Sequence, residues 1–135
     1  MISEGINLKT QPFTTNPMNK NILLLETVAN DAMQMLENAT DMNILTAYDE
    51  ASLNHQLENY AIDAIITRGK GQVRESLMKQ LPNLKVISRC GVGLDNIDVS
   101  SATKKGIKVV NAPNSNADTI AEHTIALLLM LQRNL

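Results

Sequence analysis

The chain has 135 residues, a formal net charge of −2, 44% hydrophobic residues and 19% charged residues. This is the composition of an ordinary globular domain, and the charge provides no basic surface for nucleic acid or an anionic membrane. Two Tyr, one Phe and no Trp are too few rings for the stacking used by single-stranded nucleic-acid binders. A single cysteine excludes an internal disulfide, and the cytoplasm is the expected compartment.

Residues 1–20 are polar, include Pro12 and Pro17 and have no hydrophobic period, which predicts a flexible leader. From residue 21, short apolar runs alternate with amphipathic stretches. The runs predict strands at 22–25, 42–45, 62–66, 85–88 and 107–110, and the stretches predict helices at 30–38, 50–59, 74–80 and 100–104. This alternation predicts an α/β domain over residues 21–113, a flavodoxin-like parallel five-stranded sheet with helices on both faces.

A last helix is predicted from Thr119 to the end of the chain, after a polar loop at 114–118. Thr119 and Glu122, three residues apart, form the sequence signature of a capping box. The later turns, residues 125–131, are apolar on nearly every face, so this helix needs partners on more than one side. No apolar stretch reaches the roughly 20 residues that span a bilayer, and no membrane partner is expected.

The loop after the third predicted strand, residues 67–73, interleaves two glycines with two cations. Gly69 and Gly71 leave backbone free to approach a ligand, while Arg68 and Lys70 suit an anionic substrate. Ligands of doubly wound sheets bind outside the carboxyl ends of the strands, where this loop lies. The alternative is a glycine turn with solvated charges.

The loop after the fourth predicted strand places Arg89 beside the alternating glycines Gly91 and Gly93. Free backbone N–H groups next to a cation attract an anion, and a planar guanidinium fixes the orientation of a carboxylate. In the alternative, Arg89 pairs with Asp95 and the glycines only turn the chain. Cys90 is expected to be a buried small residue, because no base is placed to activate its thiol.

The other polar segments are predicted to have structural roles, and the two histidines are assigned no catalytic role. Asp95-Asn96 and the run 111–113 are expected to hold loop backbone and to fix the exit from the fifth strand. His55 and His123 are the only side chains with an ordinary pKa near neutrality, and neither lies at a strand end. No catalytic residue and no metal ligand is therefore assigned.

The turn at 89–93 resembles the NAD-dependent D-isomer-specific 2-hydroxyacid dehydrogenases when it is combined with three further segments. These are Asp95-Asn96, Asn111-Ala112-Pro113 and Ala121-Glu122-His123. The resemblance covers about residues 21–135 and is greatest to the phosphoglycerate dehydrogenase type. It implies an oxidoreductase that moves hydride between C2 of a 2-hydroxy acid and NAD, with a place in serine biosynthesis.

The resemblance also implies site residues. Those that would contact a small anionic 2-hydroxy or 2-oxo acid are Arg68, Gly69, Lys70, Arg89, Gly91, Val92 and Gly93. Val92 and Thr119 would also border the nicotinamide. Gly69 and Gly71 stand where Ser and Thr are more usual in the family, so a phosphate contact through a hydroxyl is not implied.

The family's catalytic His, Glu and Arg and its GxGxxG motif belong to a nucleotide domain, and no GxGxxG occurs in these 135 residues. The resemblance therefore implies a substrate-binding portion that ends before the NAD domain, is inactive alone and binds NAD weakly. Residues 114–135 would form the loop and linker helix toward that domain, and the helix at 119–135 would support a homo-oligomer. The exact substrate and the choice between NAD and NADP stay open.

Two other classes of protein share this pattern of elements. A stand-alone flavodoxin-like module could use the apolar last helix to bind a partner or to dimerise, without catalysis. A phosphoacceptor receiver domain needs an acidic pair after the first strand and an Asp after the third. The sequence has a lone Glu26 and then Arg68 at these places, and a cation there opposes metal binding. The receiver is set aside.

Overall fold

The computed structural model describes residues 19–134, in which five strands alternate with five helices. The strands are β1 (Lys20–Leu24), β2 (Met42–Thr46), β3 (Ala64–Thr67), β4 (Val86–Arg89) and β5 (Lys108–Val110), and the helices are α1 (Asn30–Glu37), α2 (Glu50–Asn59), α3 (Glu75–Lys79), α4 (Val99–Lys104) and α5 (Ala117–Arg133). Most of the predicted leader, residues 1–18, lies outside the described residues. Lys20, which the sequence assigned to that leader, is the first residue of β1.

The strands form one parallel sheet in the order β2-β1-β3-β4-β5. The chain moves from β1 outward to β2 and then returns past β1 to β3. Because crossover connections between parallel strands are right-handed, this reversal puts α1 on one face of the sheet and α2, α3 and α4 on the other. The predicted flavodoxin-like α/β fold is confirmed.

The core is centred on one face of the sheet. Leu23, Ile65 and Ile87 are register partners on β1, β3 and β4, and each is 0% exposed. Alternate residues of a strand point to one face, so these three side chains form a continuous apolar row. Leu77 and Met78 of α3 belong to the same buried cluster. This packing fixes the strand ends that carry the loops described below.

Helix α5 begins two residues before the predicted start. Its N-cap is Asn116, which makes no side-chain capping bond, and Ile120 N–H donates to the Asn116 carbonyl at 2.9 Å. Asn114 has a φ of +61° and turns the chain just after Pro113. Thr119 therefore lies within the first helical turn, and the predicted capping box at Thr119 is wrong.

Every described residue of α5 is exposed to solvent. Its large apolar side chains remain uncovered, from Met130 at 45% to Leu131 at 76% exposure. Residues 19–116 leave the apolar surface of α5 uncovered on every side. The expectation that this helix needs partners on more than one side is consistent with that exposure. None of the helices in residues 19–134 has both the length and the apolar character needed to cross a membrane.

Candidate functional site

A cleft of about 950 Å³ lies at the carboxyl edge of the sheet, outside the ends of β1, β3 and β4. The strand order reverses between β1 and β3, and such a reversal is where doubly wound sheets bind their ligands. The residues predicted from the sequence that line the cleft are Arg68, Gly69, Lys70, Arg89, Gly91 and Val92. Gly93 and Thr119, also predicted, are not among its lining residues.

Arg89, the last residue of β4, has a guanidinium with no acidic partner among residues 19–134. Both ion pairs of the described residues lie elsewhere, so the alternative in which Arg89 pairs with Asp95 is wrong. Its Nε is buried and has no hydrogen-bond partner in the described part of the chain. Gly91 lies against the guanidinium, since a Cβ at Gly91 would overlap Nη1 and approach Cζ to 2.7 Å. A buried, unpaired donor on a cation favours an anion supplied from outside.

Residues that follow β5 hold the turn after β4 through its carbonyl groups, and two N–H groups of this turn donate to no described residue. Asn111 Nδ2 donates to the Val92 carbonyl at 2.6 Å, and Ala112 N–H donates to the Gly91 carbonyl at 3.0 Å. The N–H groups of Val92 and Gly93 donate to no atom of residues 19–134. Two free N–H groups close to an unpaired guanidinium suit a carboxylate.

The loop after β3 has the opposite arrangement, because three of its N–H groups are already occupied. Glu26 Oε1, at the end of β1, accepts hydrogen bonds from the N–H groups of Arg68 at 3.0 Å, Gly69 at 2.7 Å and Gly71 at 2.8 Å. The expectation that backbone in this loop is free to approach a ligand is therefore wrong. The side chains of Arg68 and Lys70 are exposed and make no ion pair among the described residues.

Gly71 cannot carry a side chain without movement of its surroundings. A Cβ there would lie 2.6 Å from Leu25 Cβ and 3.0 Å from Thr67 Oγ1, whereas a Cβ at Gly69 would meet only Arg89 Nη2 at 3.6 Å. The absence of a hydroxyl residue at position 71 thus follows from close packing of the loop on the end of β1.

A buried polar network supports the same loop from its other side. Asn96 Nδ2 donates to the Gly71 carbonyl at 2.7 Å and to Thr67 Oγ1 at 3.1 Å. The hydroxyl of Thr67 lies 2.9 Å from Glu26 Oε1, and both Asn96 and Thr67 are buried. The expected structural role of Asn96, which was to bond loop backbone, agrees with this geometry.

The Glu26 carboxyl is strongly acidic. Burial acts to raise its pKa, but the N–H donors of Gly69, Gly71, Lys70 and Arg68 outweigh burial and lower the pKa from 4.5 to about 2. The carboxylate is therefore ionised at any pH at which the protein works.

Acidification is expected to remove the stability that this carboxylate supplies. The pKa of Glu26 is lower in the folded chain than in the unfolded chain, so its contribution is complete above about pH 4.5 and is lost as the pH falls toward about 2. After screening by solvent we expect a loss of about 1–2 kcal/mol. Urea unfolding of the wild type and Glu26→Gln at pH 5 and pH 2.5 measures it. An equal loss in both proteins would contradict the assignment, because other carboxylates would then be responsible.

Comparison with known proteins decides the family. The family model for the D-isomer specific 2-hydroxyacid dehydrogenase catalytic domain matches residues 22–127. The chain belongs to this family. The D-3-phosphoglycerate dehydrogenase of Archaeoglobus fulgidus is 36% identical over 115 residues, which cover 84% of this chain and 21% of that protein.

Solved structures of 2-hydroxyacid dehydrogenases and their relatives agree with the fold. A 2-hydroxyacid dehydrogenase from Ketogulonicigenium vulgare has a TM-score of 0.69 and 31% identity, covering 84% of this chain and 36% of that one. An NAD-dependent formate dehydrogenase from Staphylococcus aureus, solved in complex with NAD, has a TM-score of 0.67 and 26% identity, covering 85% and 37%. The chain thus spans between about a fifth and two fifths of the length of these proteins.

Several residues of this 2-hydroxyacid dehydrogenase cleft were not assigned to the site from the sequence. They are Glu26, Tyr48, Ser115 and Asn116. Tyr48 follows β2 and is 51% exposed, while Ser115 and Asn116 precede α5. The available signal was positional, since each lies just beyond a strand or a loop at the carboxyl edge of the sheet.

The remaining reactive side chains of residues 19–134 do not form a second cluster. His55 on α2 and His123 on α5 are exposed and do not line the cleft. Cys90 was expected to be buried, but it is exposed in the cleft, because it lies beyond the end of β4 where helices no longer cover the sheet. Within residues 19–134, no three His, Cys, Asp or Glu side chains are grouped closely enough to hold a metal ion.

Proposed function

We propose that residues 21–113 are the substrate-binding domain of an NAD-dependent 2-hydroxyacid oxidoreductase of phosphoglycerate dehydrogenase type. In this proposal residues 114–135 link the domain to a nucleotide-binding domain. The observation that carries the proposal is the guanidinium of Arg89 in the cleft, which has no ion-pair partner within residues 19–134 and whose buried Nε has no hydrogen-bond partner there. Such an enzyme would act in the cytoplasm, in serine biosynthesis.

The substrate in this proposal is a small 2-hydroxy or 2-oxo acid with a second anionic group. Arg89 and the N–H group of Val92, which line the cleft, bind its carboxylate, and the Gly93 N–H, which lies just outside the lining and donates to no atom of residues 19–134, is the neighbouring proposed donor. Arg68 and Lys70 bind the group at its far end. Holding both ends fixes the orientation of C2, and orientation decides whether a hydride can leave or reach that carbon.

NAD is the cofactor of the proposed whole enzyme, in which it supplies the hydride acceptor. Val92 is 37% exposed in the cleft and offers an apolar surface to the nicotinamide. Thr119, on the first turn of α5, is also exposed and is the second proposed contact. Val92 and Thr119 would contact one side of the nicotinamide ring. No GxGxxG, the motif that binds the pyrophosphate of a dinucleotide, occurs in this sequence. Residues 1–135 alone are therefore proposed to be inactive.

Calorimetric titration of the 135-residue protein with 3-phosphoglycerate and, separately, with NADH tests the proposal. We expect weak binding of 3-phosphoglycerate and none of NADH. Arg89→Ala should lower the affinity for 3-phosphoglycerate by about 30-fold or more, since a charged partner of a carboxylate contributes at least about 2 kcal/mol. Circular dichroism and thermal unfolding establish that the variant is folded. Equal affinity in the wild type and in folded Arg89→Ala would refute the assignment of Arg89.

A second candidate function is favoured by the exposed apolar surface of α5. Leu128 and Leu129 are 59% and 60% exposed, and side chains of this kind mark an interaction surface. In this alternative the chain is a stand-alone module that associates through α5, and a homo-oligomer is also proposed for the substrate-binding portion. A folded oligomer that binds neither ligand would favour the alternative.

A further inference from the structure

One internal carboxylate determines the shape of the loop at residues 68–71. Glu26 Oε1 accepts hydrogen bonds from three backbone N–H groups of this loop, those of Arg68, Gly69 and Gly71, over distances of 2.7 to 3.0 Å. Converging N–H groups of this kind form an anion-binding concavity. Here the anion is part of the protein, so the loop is shaped before any ligand arrives.

The occupied N–H groups have a consequence for the ligand. Because Glu26 accepts hydrogen bonds from the N–H groups of Arg68, Gly69 and Gly71, these three cannot bind an incoming anion, and the loop offers it chiefly the side chains of Arg68 and Lys70. Arg68 and Lys70 are exposed and lack acidic partners among residues 19–134, and Arg68 Nη1 lies 3.3 Å from the Thr27 carbonyl. The turn after β4 differs, since its N–H groups at 92 and 93 are free. The cleft therefore has one side suited to a carboxylate and another with two exposed cationic side chains.

Gly71 fixes the loop through both of its backbone polar groups. The N–H of Gly71 donates to Glu26 Oε1, and its carbonyl accepts from Asn96 Nδ2. Gly71 also packs against Leu25, where a Cβ would come within 2.6 Å. Loss of the Glu26 charge would weaken one of these two restraints while the Asn96 restraint remained. The effect should therefore be local to residues 68–71.

We propose that Glu26 is a positioning residue that gives the cleft its selectivity for a doubly anionic acid. By fixing the loop, Glu26 holds Arg68 and Lys70 where they bind the second anionic group, and it leaves the carboxylate contacts of Arg89 untouched. This inference rests on the proposed function and deepens it.

Titrations with two ligands test the inference. 3-Phosphoglycerate and D-glycerate share the carboxylate and the C2 hydroxyl, and only the first has a phosphate. Binding to the 135-residue protein is followed by NMR shifts of the backbone amides, a measurement that tolerates millimolar dissociation constants. We expect Glu26→Gln to weaken 3-phosphoglycerate about tenfold, because charge-assisted contacts depend on orientation, and to change D-glycerate by less than about twofold. Glu75→Gln, which removes the same charge on α3 outside the cleft, is the matched control and should change neither.

The outcomes separate the inference from the proposed function. Equal weakening of both ligands by Glu26→Gln would indicate a merely structural role and would overturn the inference. Unchanged or tighter 3-phosphoglycerate binding would also overturn it, since Glu26 would then be neutral or would block the loop. If the wild type binds neither ligand, the proposed function fails and the inference fails with it. If Glu26→Gln does not fold, Glu26→Asp replaces it in the titrations. We expect Glu26→Asp to lower the selectivity for 3-phosphoglycerate over D-glycerate by about threefold. Unchanged selectivity would contradict the inference.

Discussion

Replacement of Gly91 with alanine is expected to remove most of the affinity for 3-phosphoglycerate, by about 10- to 100-fold. Gly91 has a φ of +153°, a region that residues with a side chain rarely adopt. The new Cβ would overlap Arg89 Nη1 and would lie 2.7 Å from Cζ, so the guanidinium must leave its place. The backbone strain should also lower the free energy of unfolding by about 1–3 kcal/mol. Calorimetry and urea unfolding measure the two effects.

Gly106→Ala is the matched control for this prediction. Gly106 also has a positive φ, +70°, but a Cβ there would meet nothing within 4 Å. Its replacement should cost about 1–2 kcal/mol of stability through the backbone alone and leave ligand affinity unchanged. If Gly91→Ala and Gly106→Ala bound 3-phosphoglycerate equally well, displacement of Arg89 could not be the cause.

Ile65→Ala is expected to lower the free energy of unfolding by about 2–5 kcal/mol, enough to unfold many domains of this size. Ile65 is 0% exposed and stands between Leu23 and Ile87 in the central apolar row. Truncation would open a cavity that β1 and β4 cannot close, because both strands are fixed by their own pairing. Denaturant unfolding followed by circular dichroism gives the value.

The next residue along β3 offers a comparison for that loss. Ile66 faces the opposite side of the sheet from Ile65 and is only partly buried. Ile66→Ala deletes the same atoms as Ile65→Ala. It should lower the free energy of unfolding by about half as much, because the Ile66 side chain buries less apolar surface when the chain folds. A larger loss at Ile66 than at Ile65 would mean that the main core lies on the other face of the sheet.

The strands of the sheet and their alternation with helices could be predicted from the sequence because the information is local. Runs such as 62–66 and 107–110 are apolar over the length of one strand, and amphipathic stretches separate them. Parallel strands joined by helices leave few arrangements, since the connections are right-handed. The turn at Arg89, Gly91 and Gly93 was identifiable for the same reason, as its cation and glycines are adjacent in the chain.

The role of Glu26 could not be predicted, because its partners are distant in the sequence. Gly69 and Gly71 follow it by 43 and 45 residues. Taken alone, Glu26 was only an incomplete metal site, and the loop with Arg68 appeared to have free backbone. Only the pairing of β1 with β3 brings the two together. The start of α5 was missed for another reason, since it depends on the left-handed backbone of Asn114.

The exposed surface of α5 also bears on the helix–coil equilibrium. Isolated helices of fewer than about 12–15 residues are marginal in water, and one of 17 residues is only slightly longer. Since the other described residues leave α5 exposed, the proposed homo-oligomer would supply the surface that stabilises its helical form. In that oligomer the ellipticity of α5 and the mass of the particle would rise together with protein concentration, so that unwinding and dissociation would be observed as one transition.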